Sequence, residues 1–169
     1  KIAMDSLARA HMKAYGLIHD IYRKKSLSSP KVGIAHNAVA FVPCTGSFRD
    51  RYIASVRDFW FNYRFLDVLA RRSTLDYVGI NYYTRHLIHT GRWSLNELLN
   101  NKCTKGHDTL PKNAMGWEIY PQGLYTILTG MKKYRLPVFI LENGICTPDD
   151  NQRWEYIREH LTSVHRAIQ

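Results

Sequence analysis

The stretch LPVFILENG, residues 136–144, decides the fold. A short apolar run that ends at Asn143-Gly144 predicts a buried strand over Leu136–Asn143, followed by a turn. Glu142 stands at the end of this strand. Moving a carboxylate out of water costs free energy unless the carboxylate is paired or hydrogen-bonded. A Glu in this position is therefore more often functional than not. The alternative is that Glu142 bonds a neighbouring backbone amide at the strand end.

Two further stretches have the same design as this strand. Residues 31–43 (KVGIAHNAVAFVP) and residues 75–84 (LDYVGINYYT) are mostly apolar and predict strands, the first of them buried on both faces. Polar residues arrive late in each strand: His36 and Asn37, then Asn81 and Tyr83, then Glu142 and Asn143. Because active sites of parallel α/β sheets form at the C-terminal ends of strands, we expect these polar groups to meet on one rim.

Apolar residues at helical spacing predict a helix before, between and after the strands. The predicted helices cover Met4–Lys25, Phe48–Ala70, Pro121–Tyr134 and a final helix that ends at Ile168, with Thr147 as its N-cap. The alternation of helices and strands predicts the α/β class, with a parallel sheet and right-handed crossovers.

Two of these helices have well-defined predicted inner faces, and one long segment has none. Leu124, Ile127, Leu128 and Met131 form the face of the third helix; Trp154, Ile157, Leu161, Val164 and Ile168 form that of the last. Arg85–Ala114 is polar and irregular, which predicts a surface loop with a short helix at Ser94–Asn100. Loops of this length are usually functional.

Length and charge limit the classes of function. The 169 residues fit one domain, whereas a complete barrel of eight strands and helices needs about 250. The chain carries 24 Lys and Arg against 14 Asp and Glu. The basic pairs lie near predicted helix ends, where cations favour the negative end of the helix dipole, so we expect a solvated surface and no nucleic-acid partner. No apolar run approaches 18 residues, which predicts no membrane partner.

The cysteines predict neither a disulfide framework nor a zinc site. Cys44, Cys103 and Cys146 are an odd number, far apart, with no C-x-x-C pair. Unpaired thiols favour a reducing compartment, so the expected location is cytoplasmic.

Three motifs in order, LDYVGINYYTR, GWEIYPQGLYTIL and LPVFILENG, resemble glycoside hydrolase family one, the β-glucosidase family. VGIAHNAVAFVP and REHLTSVHRAI extend the resemblance over nearly the whole chain. The resemblance implies a (β/α)8 TIM barrel, of which residues 1–169 form a partial domain with about strands five to seven. It also implies retaining hydrolysis of terminal β-glycosidic bonds through a glycosyl-enzyme, with no cofactor.

The resemblance assigns roles to four residues. Glu142 matches the nucleophile, and Tyr83 matches the tyrosine that bonds it and orients it. Asn81 is expected to line the sugar site, and Trp117 to form part of the cleft near the leaving group. His36 and Asn37 are candidates for contact with the leaving-group sugar, with simple strand-end hydrogen bonding as the alternative.

The family's acid/base Glu lies in an Asn-Glu-Pro motif, and this chain contains no such motif. We therefore expect a fragment that is inactive alone. Its expected partners are a β-glucoside or short β-linked oligosaccharide, and either the complementary part of the barrel or a self-association partner. Two alternatives stay open: a non-catalytic carbohydrate-binding remnant of the same fold, and a basic nucleic-acid-binding domain.

Overall fold

Three parallel strands form the sheet. The computed structural model describes residues 2–90, Cys103 and 110–169. Strand β1 covers Gly33–Pro43, β2 covers Tyr77–Ile88 and β3 covers Val138–Glu142. Their order in the sheet is β1-β2-β3, and both neighbouring pairs are parallel. The predicted α/β class is confirmed.

Helices precede, connect and follow the strands. They are α1 (Ile2–Lys24), α2 (Phe48–Asp58), a π-helical turn (Phe59–Tyr63), α3 (Arg64–Ala70), α4 (Pro121–Met131), a 3-10 turn (Lys132–Tyr134) and α5 (Asp150–Ile168). The predicted N-cap of the last helix is wrong. Asp149 caps α5 by accepting a hydrogen bond from the Asn151 N–H, whereas Thr147 accepts one from the Asp149 N–H in the preceding turn.

The loop predicted over Arg85–Ala114 begins too early. β2 continues to Ile88, because Arg85 and the three residues after it pair with the last four residues of β1. The short helix predicted at Ser94–Asn100 lies outside the described residues.

The core fills the space between the sheet and one layer of helices. Val78, Ile80 and Tyr82 of β2 are fully buried there against leucines of α3 and α4. The predicted face of α4 is confirmed, since its four residues are all buried. The opposite face of the sheet is open in the described part of the chain: Phe139 keeps 51% of its surface exposed. Asn37 of β1 is exposed as well, so the prediction that residues 31–43 form a strand buried on both faces is wrong for this chain by itself.

The inner face predicted for the last helix is wrong except for Val164, which is partly buried and packs against the core. α5 buries Tyr156, His160, Ser163 and Ala167. Trp154, Ile157 and Leu161 of the predicted face are exposed. The side that contacts the rest of the chain is thus partly polar, and a larger apolar row faces outward. Apolar periodicity alone cannot show which of two such rows meets the sheet.

Cys44 and Cys103 are joined by a disulfide, with their Cα atoms 5.9 Å apart. The prediction of unpaired thiols is wrong for these two residues, and Cys146 is the free, exposed cysteine. The bonded cysteines are 59 residues apart in sequence, so their spacing carries no signal of the pairing. The disulfide removes the thiol argument for a reducing compartment. In the described ranges, no helix is long and apolar enough to cross a membrane.

Helix α4 approaches the sheet closely at Gly123. The Tyr82 hydroxyl donates to the Tyr120 carbonyl at 2.7 Å, directly beside this glycine. A Cβ at position 123 would collide with the Tyr82 hydroxyl and lie 2.7 Å from the Ala40 Cβ. A glycine is therefore required by the packing of α4 on the sheet.

We predict that Gly123→Ala lowers the free energy of unfolding by about 1–3 kcal/mol, the usual effect of forcing extra atoms into a packed core. The matched control is Gly16→Ala in α1, where an added Cβ meets nothing within 4 Å. Alanine there should raise stability by up to about 1 kcal/mol through helix propensity. Urea unfolding of both variants is the measurement. Equal stabilities would contradict the close packing.

Candidate active site

An extra residue in β3 turns Glu142 toward the open face of the sheet. Ile80 pairs with Ile140, but the next residue of β2, Asn81, pairs with Glu142, so Leu141 is inserted into the ladder. Side chains alternate along a strand, and without this bulge Glu142 would share the helix-facing side with Ile140. The Glu142 side chain is instead exposed.

A second bulge lies in β2, at Tyr83. Tyr83 and Thr84 together stand opposite a single residue of β1, Val39. The Asn62 side chain bonds both backbone groups of Val39: Oδ1 accepts from its N–H at 3.1 Å, and Nδ2 donates to its carbonyl at 2.8 Å. Asn62 is fully buried in the π-helical turn. The continuous helix predicted over Phe48–Ala70 is therefore interrupted where an amide contacts the bulge.

The two bulges bring Tyr83 and Glu142 together across neighbouring strands. The Tyr83 hydroxyl donates a short hydrogen bond to Glu142 Oε2. This bond raises the pKa of Tyr83 above its usual value, with further contributions from burial and from the charge of the carboxylate. Tyr83 therefore remains protonated at neutral pH and serves as a hydrogen-bond donor to the carboxylate.

A row of polar side chains crosses all three strands at the level of the carboxylate. Asn37 pairs with Asn81, and Asn81 pairs with Glu142. The Asn81 Oδ1 is buried and has no hydrogen-bond partner among the described residues. Because an unsatisfied buried carbonyl costs free energy, this oxygen is available to a donor such as a ligand hydroxyl. Asn37 is exposed at the far end of the row.

Trp117 lies beside Tyr83, with the ring centroids 6.0 Å apart and the ring planes at 57°. Its position is fixed by the next residue. Glu118 is buried and accepts a 2.7 Å hydrogen bond from Arg85 Nε, and its carbonyl accepts one from the Thr84 hydroxyl at 2.8 Å. Trp117 remains 40% exposed, which leaves a flat apolar surface beside Tyr83.

His36 is not brought to this group. Its ring stacks on Phe65 of α3, with centroids 6.5 Å apart and planes at 11°, so it lies on the helix-facing side of β1. Burial lowers the pKa of His36, and its Nε2 is buried without a partner in the described part of the chain. The neighbouring Asn37 lies on the opposite side of the strand. Asn37, and not His36, therefore belongs to the row of polar side chains with Asn81 and Glu142.

Two residues contact the ends of β2 and β3: Asn143, which the sequence analysis named only as a strand-end polar residue, and Tyr156, which it did not single out. The Asn143 Nδ2 donates to the Tyr82 carbonyl at 2.8 Å and to the Tyr156 hydroxyl at 3.1 Å. Tyr156 lies on α5 and is 2% exposed. The available signal in the sequence was the spacing of Tyr156 and His160, which places two side chains with polar atoms on one face of the helix.

Comparison with known proteins identifies the family. Residues 66–169 match the family described as glycosyl hydrolase family 1. The chain belongs to that family. The β-galactosidase of Saccharolobus solfataricus is 32% identical over 98% of this chain, and a 1,4-β-D-glucan glucohydrolase of Thermotoga neapolitana is 29% identical over 97%. The chain spans 37% and 45% of the lengths of these family members.

Solved structures of family members agree with this fold. The β-glycosidase from Pyrococcus horikoshii superposes with a TM-score of 0.77 at 33% identity, covering 98% of this chain and 40% of its own. The family 1 β-glucosidase from Thermotoga maritima gives 0.79 at 26% identity, covering 99% and 44%. The predicted fold, part of a (β/α)8 TIM barrel, is confirmed.

We predict that Glu142→Gln lowers the pKa of Tyr83 toward its ordinary value near 10.0, because the hydrogen bond to a carboxylate and the negative charge both favour the protonated phenol. NMR titration of protein containing carbon-13-labelled tyrosine measures this, with Tyr83→Phe assigning the resonance. Tyr15, whose hydroxyl donates to Asp76 at 2.8 Å, is the internal control, and its raised pKa should not shift. An unchanged pKa of Tyr83 would contradict the contact.

Proposed function

We propose that this chain is the nucleophile-bearing part of a retaining β-glucosidase, with residues 1–169 forming a partial TIM-barrel domain. The observation that carries the proposal is the hydrogen bond between Tyr83 and Glu142 on the open face of the sheet. The names of family members support a β-glycoside substrate: a β-galactosidase, a glucan glucohydrolase and β-glucosidase A of Thermotoga maritima. The Thermotoga maritima β-glucosidase has also been solved in complex with glucoimidazole.

In the proposed reaction, Glu142 attacks the anomeric carbon of a β-glucoside or of a short β-linked oligosaccharide. A bond forms between a carboxylate oxygen and that carbon, the glycosidic bond breaks, and the leaving oxygen takes a proton from a second carboxylic acid. Water then hydrolyses the glycosyl-enzyme, with the second residue acting as base. Two inversions at one carbon retain its configuration. No step requires a cofactor.

The neighbouring side chains have separate tasks in this reaction. Tyr83 orients the attacking carboxylate through its hydroxyl. The Asn81 Oδ1, which is buried without a described partner, accepts a hydrogen bond from a sugar hydroxyl. Trp117 offers its exposed indole to the apolar face of a sugar ring on the leaving-group side. Asn37, at the exposed end of the row, is the polar group that we assign to the leaving-group sugar.

The second carboxylate comes from outside this chain in our proposal. The sequence holds no Asn-Glu-Pro motif. The carboxylate of Glu118, the residue after Trp117, already forms an ion pair with Arg85. We propose that the chain acts together with the complementary part of a barrel, which covers the open face of the sheet and supplies the acid/base. The exposed apolar residues of that face, Phe139 and Leu141, and the outward apolar row of α5 support such a partner.

Covalent trapping tests the assignment of the nucleophile in the complete protein that carries this chain. A 2-deoxy-2-fluoro-β-glucoside with a dinitrophenolate leaving group should add one fluoroglucosyl group to the peptide that contains Glu142, because the fluorine slows hydrolysis of the intermediate more than its formation.

Two variants make this experiment decisive. Glu142→Gln should abolish labelling while it leaves the fold intact by circular dichroism. Glu159→Gln, which removes an exposed carboxylate from α5, should label like the unsubstituted protein. Label on any other residue, or its persistence in Glu142→Gln, would overturn the assignment. Binding of the glucoside without any label would instead favour a non-catalytic carbohydrate-binding remnant.

A further inference from the structure

We infer that Asn143 and Tyr156 are positioning residues that hold Glu142 against Tyr83. The inference rests on the proposed role of Glu142 as nucleophile and adds to it the groups that fix its place. Neither residue contacts the carboxylate in the described hydrogen bonds. Both act on the backbone of the strands that carry Glu142 and Tyr83.

The backbone ladder alone fixes Glu142 weakly. β3 is only five residues long, and the bulge at Leu141 interrupts its pairing with β2 just before the last pair, Asn81 with Glu142. A bulge leaves its extra residue unpaired and bends the strand. One residue of slip would move Glu142 to the other face of the sheet. Something beyond the ladder must therefore define the register at the carboxylate.

The Asn143 side chain supplies this fixing point. Its Nδ2 reaches across to β2 and donates to the Tyr82 carbonyl at 2.8 Å. The same Nδ2 donates to the Tyr156 hydroxyl at 3.1 Å, and that hydroxyl lies 3.5 Å from the Tyr83 carbonyl. The residue after Glu142 is thus bonded to the residue before Tyr83. This linkage sets the distance between the nucleophile and its hydrogen-bond donor.

Tyr156 is itself held rigidly by α5. Its ring stacks on His160 with centroids 3.8 Å apart, and His160 Nδ1 lies 2.7 Å from the Tyr156 carbonyl. Burial raises the pKa of Tyr156 to about 12, so its hydroxyl stays protonated at neutral pH. Burial also lowers the pKa of His160, which keeps the stacked ring neutral. The hydroxyl at the end of this stack is a fixed point for the Asn143 amide.

The test uses Tyr156→Phe and Asn143→Ala in the complete protein. Tyr156→Phe keeps the aromatic stack and removes the hydroxyl, and Asn143→Ala removes the bridging amide. We expect each to lower kcat and the rate of fluoroglucosyl labelling by about 10- to 100-fold, the scale of a misplaced reacting group. KM should change little, because Asn81 and Trp117 are untouched. Since the two residues act through one hydrogen bond, the double variant should lose less than the product of the single losses.

Two readouts separate positioning from a merely structural role. In both variants the pKa of Tyr83 should fall toward 10.0, as Glu142 moves away from its hydroxyl. The matched control is Tyr134→Phe, which removes a hydroxyl bonded to Asp67 on the helix side of the sheet. It should reduce stability toward urea while it leaves kcat and the pKa of Tyr83 unchanged.

The possible outcomes are distinct. Absence of label on Glu142 in the unsubstituted protein would remove the proposed function and, with it, this inference. Normal label on Glu142 together with unchanged kcat and unchanged Tyr83 pKa in both folded variants would overturn the inference alone. If Asn143→Ala fails to fold, Asn143→Ser, which keeps a short polar side chain, replaces it with the same expected losses; if Tyr156→Phe fails to fold, the Asn143 variant decides by itself.

Discussion

The hydrogen bond from Tyr83 to Glu142 requires an extra residue in each of two neighbouring strands. In a regular parallel ladder, every second side chain enters the helix-facing core, and Glu142 would follow Ile140 into it. The insertion at Leu141 reverses this direction, and the insertion at Tyr83 and Thr84 adjusts the partner strand at the same level. A carboxylate buried in that core would lose its hydration without a compensating charge. The bulges thus decide that the carboxylate is accessible.

Each bulge leaves backbone polar groups outside the regular ladder, and the helix layer satisfies those groups. Asn62, in the π-helical turn, bonds both backbone groups of Val39, opposite the bulge at Tyr83 and Thr84. Beside the bulge at Leu141, Asn143 donates to the Tyr82 carbonyl and to the hydroxyl of Tyr156 on α5. A primary amide makes the contact in both cases: Asn62 donates and accepts, whereas Asn143 donates twice. The irregular features of helices and strands are therefore complementary, and the geometry of the rim depends on the helices behind it.

These pairings explain what the sequence could and could not predict. The three strands, the inner face of α4 and the position of Glu142 at a strand end follow from apolar runs and their polar ends. The bulge at Leu141 cannot be predicted from residues 138–141, because a run of apolar residues shows no alternation that an inserted residue would disturb. β1 is apolar on both sides, so nothing in its pattern shows that Asn37 faces the open side while His36 meets Phe65. The same ambiguity explains the wrong face of α5: its exposed residues Trp154, Ile157 and Leu161 are more apolar than the buried row that contains His160 and Ser163.

The open face sets the condition under which the site can work. Glu142 and Tyr83 lie on adjacent strands of this chain, so their contact is formed by its own sheet. That carboxylate is nevertheless exposed to water, where electrostatic interactions are weak. Under the proposed function, covering the face with the rest of a barrel would exclude water and strengthen the hydrogen bond from Tyr83 to Glu142. It would also bring the general acid, which contributes typically about 10²–10⁴-fold. The proposed reaction therefore needs both the oriented carboxylate of this chain and the surface that closes over it.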